Sequence, residues 1–195
     1  MNLEPFIENM NTECGMIGNP IIPIKAIKID GNGSDSLKYK LCENSLKSCD
    51  YIKFTDNDIC FIEFSDYYEQ LKYLKNISTS VSNSNIAEDD LKTLMKNKVL
   101  IKEPNVIKNE LQSKISETLL LFQVMVEECA ISEHLNKNKI FIISLCKIIV
   151  SDIIVFDRLL RELQKKFKLI IDIELFIYLD VESFITKKTT LNTEV

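Results

Sequence analysis

The stretch CDYIKFTDNDICFIEFSD, residues 49–66, decides the fold. Its two halves, residues 50–54 and 59–65, are rich in β-branched and aromatic side chains, which favour extended strands. Residues 55–58 between them, Thr-Asp-Asn-Asp, are turn formers. The pattern therefore predicts an antiparallel β-hairpin, and we interpret the rest of the chain as the scaffold around it.

The hairpin carries one acidic residue at the outer end of each strand. If its loop is centred on residues 56–57, the residue numbers of two facing positions always add up to the same value. Asp50 then faces Glu63. Their Cβ atoms would then lie roughly 4.5–5.5 Å apart, and opposed like charges are destabilising unless a cation, a shared proton or solvent exposure compensates. The pair is therefore either a site or a solvated rim, and a slip of one residue would separate the two acids.

The opposite face of the hairpin is also mostly apolar. We therefore expect the hairpin to be covered on both sides by other layers of the protein. The residues assigned to this opposite face are Cys49, Tyr51, Lys53, Cys60, Ile62 and Phe64.

Length and composition bound the class of protein. A chain of 195 residues that is 46% hydrophobic and 27% charged is ordinary for a globular protein, so we expect one domain over residues 1–185 and a polar tail over residues 186–195.

The formal charge of -5 disfavours non-specific nucleic-acid binding and favours a basic protein partner. Because no secretory signal and no apolar run of about 18 residues is visible, we expect a cytoplasmic protein without a membrane span. The oligomeric state is left open.

The cysteines and the single histidine do not form a metal motif. The six cysteines include no CxxC pair, and several lie in apolar segments where a thiol packs as a small hydrophobic group. Glu127, Glu128, Cys129 and His134 fall near one predicted helix end, but His134 is off the i/i+4 face of Cys129. We therefore expect no metal there, and no serine or cysteine nucleophile has a plausible base.

The first half of the chain is expected to form a four-stranded meander. The hairpin strands are preceded by predicted strands over residues 21–29 and 37–42 and by a short helix over residues 4–10. A helix capped by Ser65 or Asp66 is predicted to follow the hairpin. The Ser/Asn-rich stretch 77–86 is predicted to be a loop, either passive or a binding lid.

The second half alternates helices and strands, which predicts an α/β domain with a mixed sheet of five or six strands and helices on its faces; an α+β arrangement is the alternative. Strand, helix and strand at the end of the chain allow a parallel crossover. The predicted helices span residues 88–98, 105–135 and 152–167, and the predicted strands span residues 139–150 and 169–179.

Asp50 on one strand, Glu63-Phe64-Ser65 on the next and Gln70 on the following helix resemble the core of the PD-(D/E)xK nuclease-like superfamily. The resemblance implies a restriction-endonuclease-like core in which Asp50 and Glu63 bind Mg²⁺ or Mn²⁺ and a lysine two places after Glu63 positions the attacking water. This sequence has Ser65 at the lysine position, and a hydroxyl cannot supply the cation that stabilises charge developing on a phosphate. Lys72 or Lys75 on the following helix is an alternative source of that cation.

Two functional hypotheses follow. The first is a non-catalytic immunity or antitoxin-like protein of a bacterial conflict system, without a cofactor, that neutralises a basic toxin by acidic surface complementarity. The second is a metal-dependent nuclease acting through Asp50 and Glu63, with Ser65 and Gln70 beside them.

Overall fold

The computed structural model describes residues 1–12, 21–31, 36–41, 45–82, 103–145 and 153–190. These residues form a mixed α/β fold around one six-stranded sheet with strand order β1-β2-β3-β4-β5-β6. The first four strands pair antiparallel, and β4-β5 and β5-β6 pair parallel. The strands are β1 (Ile7–Asn11), β2 (Ile21–Lys28), β3 (Tyr51–Phe54), β4 (Asp58–Ser65), β5 (Asn138–Leu145) and β6 (Asp172–Ile177).

Helices cover both faces of this sheet. One core holds buried side chains of α2, α3 and α4, and the core on the other face holds Val181 and Ile185 of α5. Because β5 contributes to both cores, its nearly continuous apolar sequence has a physical explanation. The helices are α1 (Leu37–Lys40), α2 (Tyr67–Ser82), α3 (Glu103–Cys129), α4 (Ile153–Phe167) and α5 (Tyr178–Thr190), with 3-10 turns at Glu4–Phe6 and Ser132–His134.

The hairpin has the predicted register. Ile52 lies opposite Phe61 and Phe54 opposite Ile59, as predicted, and the pairing ends at Tyr51 and Ile62. Asp50 precedes β3 and its N–H donates to the carbonyl of Ile62, so the predicted pairing of Asp50 with Glu63 is not part of the observed register. The hairpin is covered on both faces as expected, but Cys49 belongs to the core of α3 and α4 and not to the opposite face to which the sequence assigned it. This difference arises because Cys49 precedes β3 and is outside the alternation of the strand.

Three further predictions near the start of the chain are corrected. Residues 37–40 form helix α1 and not a strand, because Leu37 and Leu41 are buried while Tyr39, which a strand would place on the same side, is exposed. Ser36 caps the helix by accepting from the Tyr39 N–H at 3.3 Å. The short helix expected over residues 4–10 is only the 3-10 turn, and its remainder is β1. The meander therefore has four strands, but its first member is β1.

The helices also run differently from prediction at three ends. Helix α2 begins after Asp66, whose side chain accepts from the Glu69 N–H at 3.1 Å, as predicted for a helix cap. The helix then continues to Ser82 and so includes residues 77–82 of the expected loop. Helix α3 ends at Cys129, where Ala130 has a φ of 54°, and not at residue 135. Helix α5 was not predicted: it begins at Tyr178, within the strand expected over residues 169–179, and includes residues 186–190 of the expected tail. Residues 83–86 and the helix predicted over 88–98 lie outside the described residues.

No helix in the described parts of the chain is long and apolar enough to cross a membrane.

Candidate functional site

Asp50 is fixed by hydrogen bonds at the point where the hairpin meets β2. Its backbone N–H donates to the carbonyl of Ile62 at 3.0 Å, and its carbonyl accepts from the N–H of Ile29 at 2.8 Å. Its carboxylate oxygen Oδ2 accepts from the N–H of Phe64 at 2.7 Å. The Asp50 side chain therefore takes a place in the strand ladder that a backbone carbonyl would otherwise fill.

Glu63 lies in β4 on the face covered by α3 and is almost completely buried, with 1% of the residue exposed. Its Oε1 accepts from Lys114 Nζ at 2.5 Å, while Oε2 is buried without a hydrogen-bond partner among the described residues. Lys114 comes from α3, 51 residues further along the chain, and 19% of its side chain is exposed. The cation that the sequence does not provide at position 65 is therefore provided by another element.

Helix α3 presents a row of polar side chains towards this end of the hairpin. Glu110, Lys114 and Thr118 are spaced by four residues and so share one side of the helix. Thr118 is buried, and its Oγ1 accepts from the N–H of Cys49 at 2.9 Å. The residue before it, Glu117, accepts from the N–H of Lys47 through Oε2 at 2.6 Å. Side chains of this row therefore hydrogen-bond both to the segment that leads into β3 and to the carboxylate of Glu63.

The electrostatics of the pair follow from burial and from the neighbouring charges. Burial raises the pKa of the Glu63 carboxyl well above its usual range, the negative charge of Asp50 raises it further, and Lys114 acts in the opposite direction. Burial by itself would lower the pKa of Lys114, but the charge and hydrogen bond of Glu63 outweigh it, so the pKa of Lys114 is raised. Lys114 is therefore the stable cation of the cluster, and the Glu63 carboxyl is the group that takes up a proton on acidification.

The other predicted site residues lie near this pair without joining it. Ser65 follows Glu63 on β4 and is half-buried, and Gln70 is half-buried in the first turns of α2. The Gln70 side chain makes no hydrogen bond to another described residue, and its N–H donates to the carbonyl of Asp66. Lys72 pairs with Glu69 at 3.3 Å on the exposed side of α2, so it does not replace the missing lysine.

Tyr67 closes the cluster on the side of α2. It is fully buried, and burial followed by the charges of Glu63 and Glu110 raises the pKa of its hydroxyl. Ser65 is near enough to lower that pKa, but the Tyr67 oxygen has no well-aligned hydrogen-bond partner within the described residues. Two buried oxygen atoms, one on Glu63 and one on Tyr67, therefore have unused hydrogen-bonding capacity in the same region.

The family resemblance implies Mg²⁺ or Mn²⁺ at this pair, and the oxygen atoms available there decide whether such an ion fits. Hard divalent cations prefer several oxygen ligands, and the unpartnered Glu63 Oε2 is such an atom. However, Asp50 Oδ2 and Glu63 Oε1 are already engaged, and within residues 1–12, 21–31, 36–41, 45–82, 103–145 and 153–190 no three His, Cys, Asp or Glu side chains form a group that could hold a metal ion. The described residues therefore do not fit a resident divalent cation.

Sequence reasoning missed Lys114, Glu110 and Thr118. The four-residue spacing of these side chains, adjacent to the apolar row of Leu111 and Ile115, was a signal that α3 carries a polar row beside its buried face. Which strand this row would meet could not be read from the spacing, because it depends on how α3 packs on the sheet.

The predicted helix-end residues occupy a different part of the molecule. Glu127 and Glu128 lie exposed in the last turn of α3, which has no basic residue, and Glu133 is exposed in the following 3-10 turn. His134 does not lie at the end of α3 as expected but stacks on Phe54 with ring centroids 4.1 Å apart. We call Glu127, Glu128 and Glu133 the acidic end.

No family model, curated protein or solved structure matches the chain.

Proposed function

We propose that this chain is a non-catalytic, cytoplasmic protein-binding protein, in the form of an immunity or antitoxin-like protein that neutralises a basic toxin of a bacterial conflict system. The observation that carries the proposal is the engagement of both hairpin carboxylates inside the fold. The Asp50 carboxylate accepts a hydrogen bond from the Phe64 N–H, and the buried Glu63 carboxylate accepts one from Lys114. A nuclease needs carboxylates that are available to metal and substrate, and here they stabilise the end of the hairpin.

The acidic end supports a basic partner. Three exposed carboxylates lie where the helix dipole of α3 adds further negative charge. Two basic groups lie beside them: the Met1 ammonium group donates to the carbonyl of Glu128, and His134 Nε2 lies 3.4 Å from Glu133 Oε1. A surface of this kind accelerates association with a positively charged protein and disfavours negatively charged ones.

The test is co-expression with the product of the neighbouring gene. We expect a 1:1 complex whose affinity falls about tenfold or more when Glu127, Glu128 and Glu133 are all changed to Lys, because like charges then face a basic partner. A matched control changes the exposed Glu174, Asp180 and Glu182 to Lys, with the same change in net charge. Equal loss in both variants would remove the acidic end from the proposal, and metal-dependent DNA cleavage by the folded protein would overturn the proposal itself.

A second candidate function is a metal-dependent nuclease, and one observation favours it. Lys114 brings an ammonium group to Glu63, which is the charge that Ser65 cannot supply. Its test is thermal unfolding with millimolar Mn²⁺ or Mg²⁺, because a ligand that binds only the folded state raises the melting temperature. A rise that disappears in both Asp50→Asn and Glu63→Gln would favour the nuclease, whereas no rise would argue against it.

A further inference from the structure

The exposed side of α4 carries a straight row of basic side chains. Ile154, Arg158, Arg161 and Lys165 are separated by four, three and four residues, so they share one side of the helix, and Lys168 follows just past its C-terminal end. All five are exposed, and the side chains of Arg158 and Arg161 are 82% and 75% exposed. These are the two arginines of the chain. We call this row the α4 ridge.

The ridge keeps an excess of positive charge after its own ion pairs are counted. Arg161 Nε pairs with Asp157 at 3.0 Å, and Arg158 Nε pairs with Glu162 at 3.3 Å. Glu162 also accepts from Lys108 Nζ of α3 at 2.9 Å, so a single carboxylate serves two cations. Exposed pairs of this kind contribute about 0.2–1 kcal/mol each, and they leave most guanidinium N–H groups available to a partner.

Exposed apolar side chains lie at both ends of the ridge. Ile154 is 78% exposed at the N-terminal end, and Leu169 and Ile170 are 96% and 59% exposed just beyond the C-terminal end of α4. Beside Ile154, a cleft of about 350 Å³ between α3 and α4 is lined in part by Lys108 and Arg158. The two ends are separated by roughly 20 Å at 1.5 Å per residue.

We propose that the α4 ridge is a docking surface for an acidic amphipathic helix of a partner protein, with carboxylates along the ridge and apolar side chains at both ends. A helix of about four turns has the matching length. Charge complementarity supports this occupant, because the positive row requires negative groups opposite it. The apolar ends distinguish a polypeptide from a nucleic-acid backbone, which offers phosphates along its whole length. This proposal goes beyond the binding function proposed above and does not depend on it.

The probe is a synthetic 18-residue helical peptide with Glu on one face and Leu at the two ends of that face, measured by fluorescence anisotropy. We expect binding that weakens with added salt, as exposed charge pairs do. Arg158→Glu together with Arg161→Glu should lower the affinity about tenfold or more. The matched control is Lys40→Glu with Lys72→Glu, two exposed lysines away from the ridge, which makes the same change in net charge and should change the affinity by less than about twofold.

A second variant separates the apolar contribution from the charges. Ile154→Ser with Leu169→Ser should lower affinity for the amphipathic peptide but leave binding of a poly-glutamate peptide unchanged, and both positions are exposed enough for the variants to fold. Equal affinity for a scrambled peptide, or no loss in the arginine variant, would overturn the proposal. Tighter binding of a 20-nucleotide single strand through the same arginines, or self-association that the arginine variant abolishes, would assign the ridge to a different occupant and overturn it as well.

Discussion

Replacing Lys114 with methionine would remove the cation at Glu63 while keeping an unbranched side chain of similar length in α3. Glu63 is 1% exposed, so solvent cannot take over the role of Lys114 as its compensating charge. Removal of one partner from a buried ion pair costs about 3–5 kcal/mol, because the other charge stays behind without compensation. We therefore expect Lys114→Met to lower the free energy of unfolding by about 3 kcal/mol or more at pH 8.

The loss should depend on pH with a definite sign. Because the pKa of the Glu63 carboxyl is raised in the folded protein, protonation of Glu63 contributes stability that is fully present below its ordinary pKa of 4.5 and is lost as the pH rises through its folded-state pKa. Lys114 lowers the folded-state pKa of Glu63, so its removal raises that pKa further. The penalty of Lys114→Met should therefore be small near pH 5 and should grow by about 1.4 kcal/mol for each pH unit between the two folded-state pKa values.

The assay is urea unfolding followed by circular dichroism at pH 5 and pH 8, with Glu63→Gln and the double variant Glu63→Gln/Lys114→Met beside the single change. Because the neutral amide removes the charge that Lys114 compensates, the double variant should recover most of the loss caused by Lys114→Met alone. A penalty that is the same at both pH values, and that Glu63→Gln does not relieve, would refute the assignment of Lys114 as the counter-ion of Glu63.

Three smaller changes test the supports of the hairpin and of α4, each by urea unfolding. Asp50→Ala should cost about 1–3 kcal/mol because it leaves the Phe64 N–H without its acceptor. Asp50→Asn, which keeps an oxygen there, should cost less, and equal costs would contradict this role. Thr118→Val should cost a similar 1–3 kcal/mol or so by removing the acceptor of the Cys49 N–H, whereas Thr118→Ser should be nearly silent. Leu163→Ala should cost about 2–5 kcal/mol because the side chain is fully buried, and a loss below 1 kcal/mol or so would show that α4 does not pack on the core.

The hairpin and its register were predictable because they depend on local rules. The two-residue period of the strands and the turn formers between them set which residues oppose each other. The residue numbers of the observed pairs add up to one value, as predicted for a loop centred on residues 56–57. The helices α3 and α4 were predictable for a similar reason, since their apolar side chains recur at helical spacing over several turns.

Short segments were less predictable because two periods fit them equally well. Leu37 and Leu41 are in phase both for a strand and for a helix, and the exposure of Tyr39, which a strand would place on the same side, selects the helix. In residues 77–82 the Ser and Thr side chains favoured a loop, but the segment continues α2. Local propensity is outweighed at residues 37–41 by the packing of Leu37 and Leu41 on the core.

The lysine of the candidate site lay beyond sequence reasoning for a different reason. Position 65 was the expected place for a cation, and the structure supplies it from Lys114 on a helix that crosses the same strand end. Nothing within a few residues of Glu63 indicates this partner, because the contact depends on how α3 lies across the sheet.

The two functional hypotheses assign different tasks to this same lysine, and the double variant Glu63→Gln/Lys114→Met separates them. If the chain is a binding protein, the pair only stabilises the hairpin, so a double variant of recovered stability should bind its partner with unchanged affinity. If the chain is a nuclease, cleavage should fall by about 10² or more even though the fold is intact, because a neutral site lacks the charges that the reaction needs. Parallel measurement of unfolding, partner affinity and plasmid cleavage on this one protein distinguishes a structural ion pair from a working site. A stable double variant that neither binds the neighbouring gene product nor differs from the parent in a cleavage assay would refute both assignments.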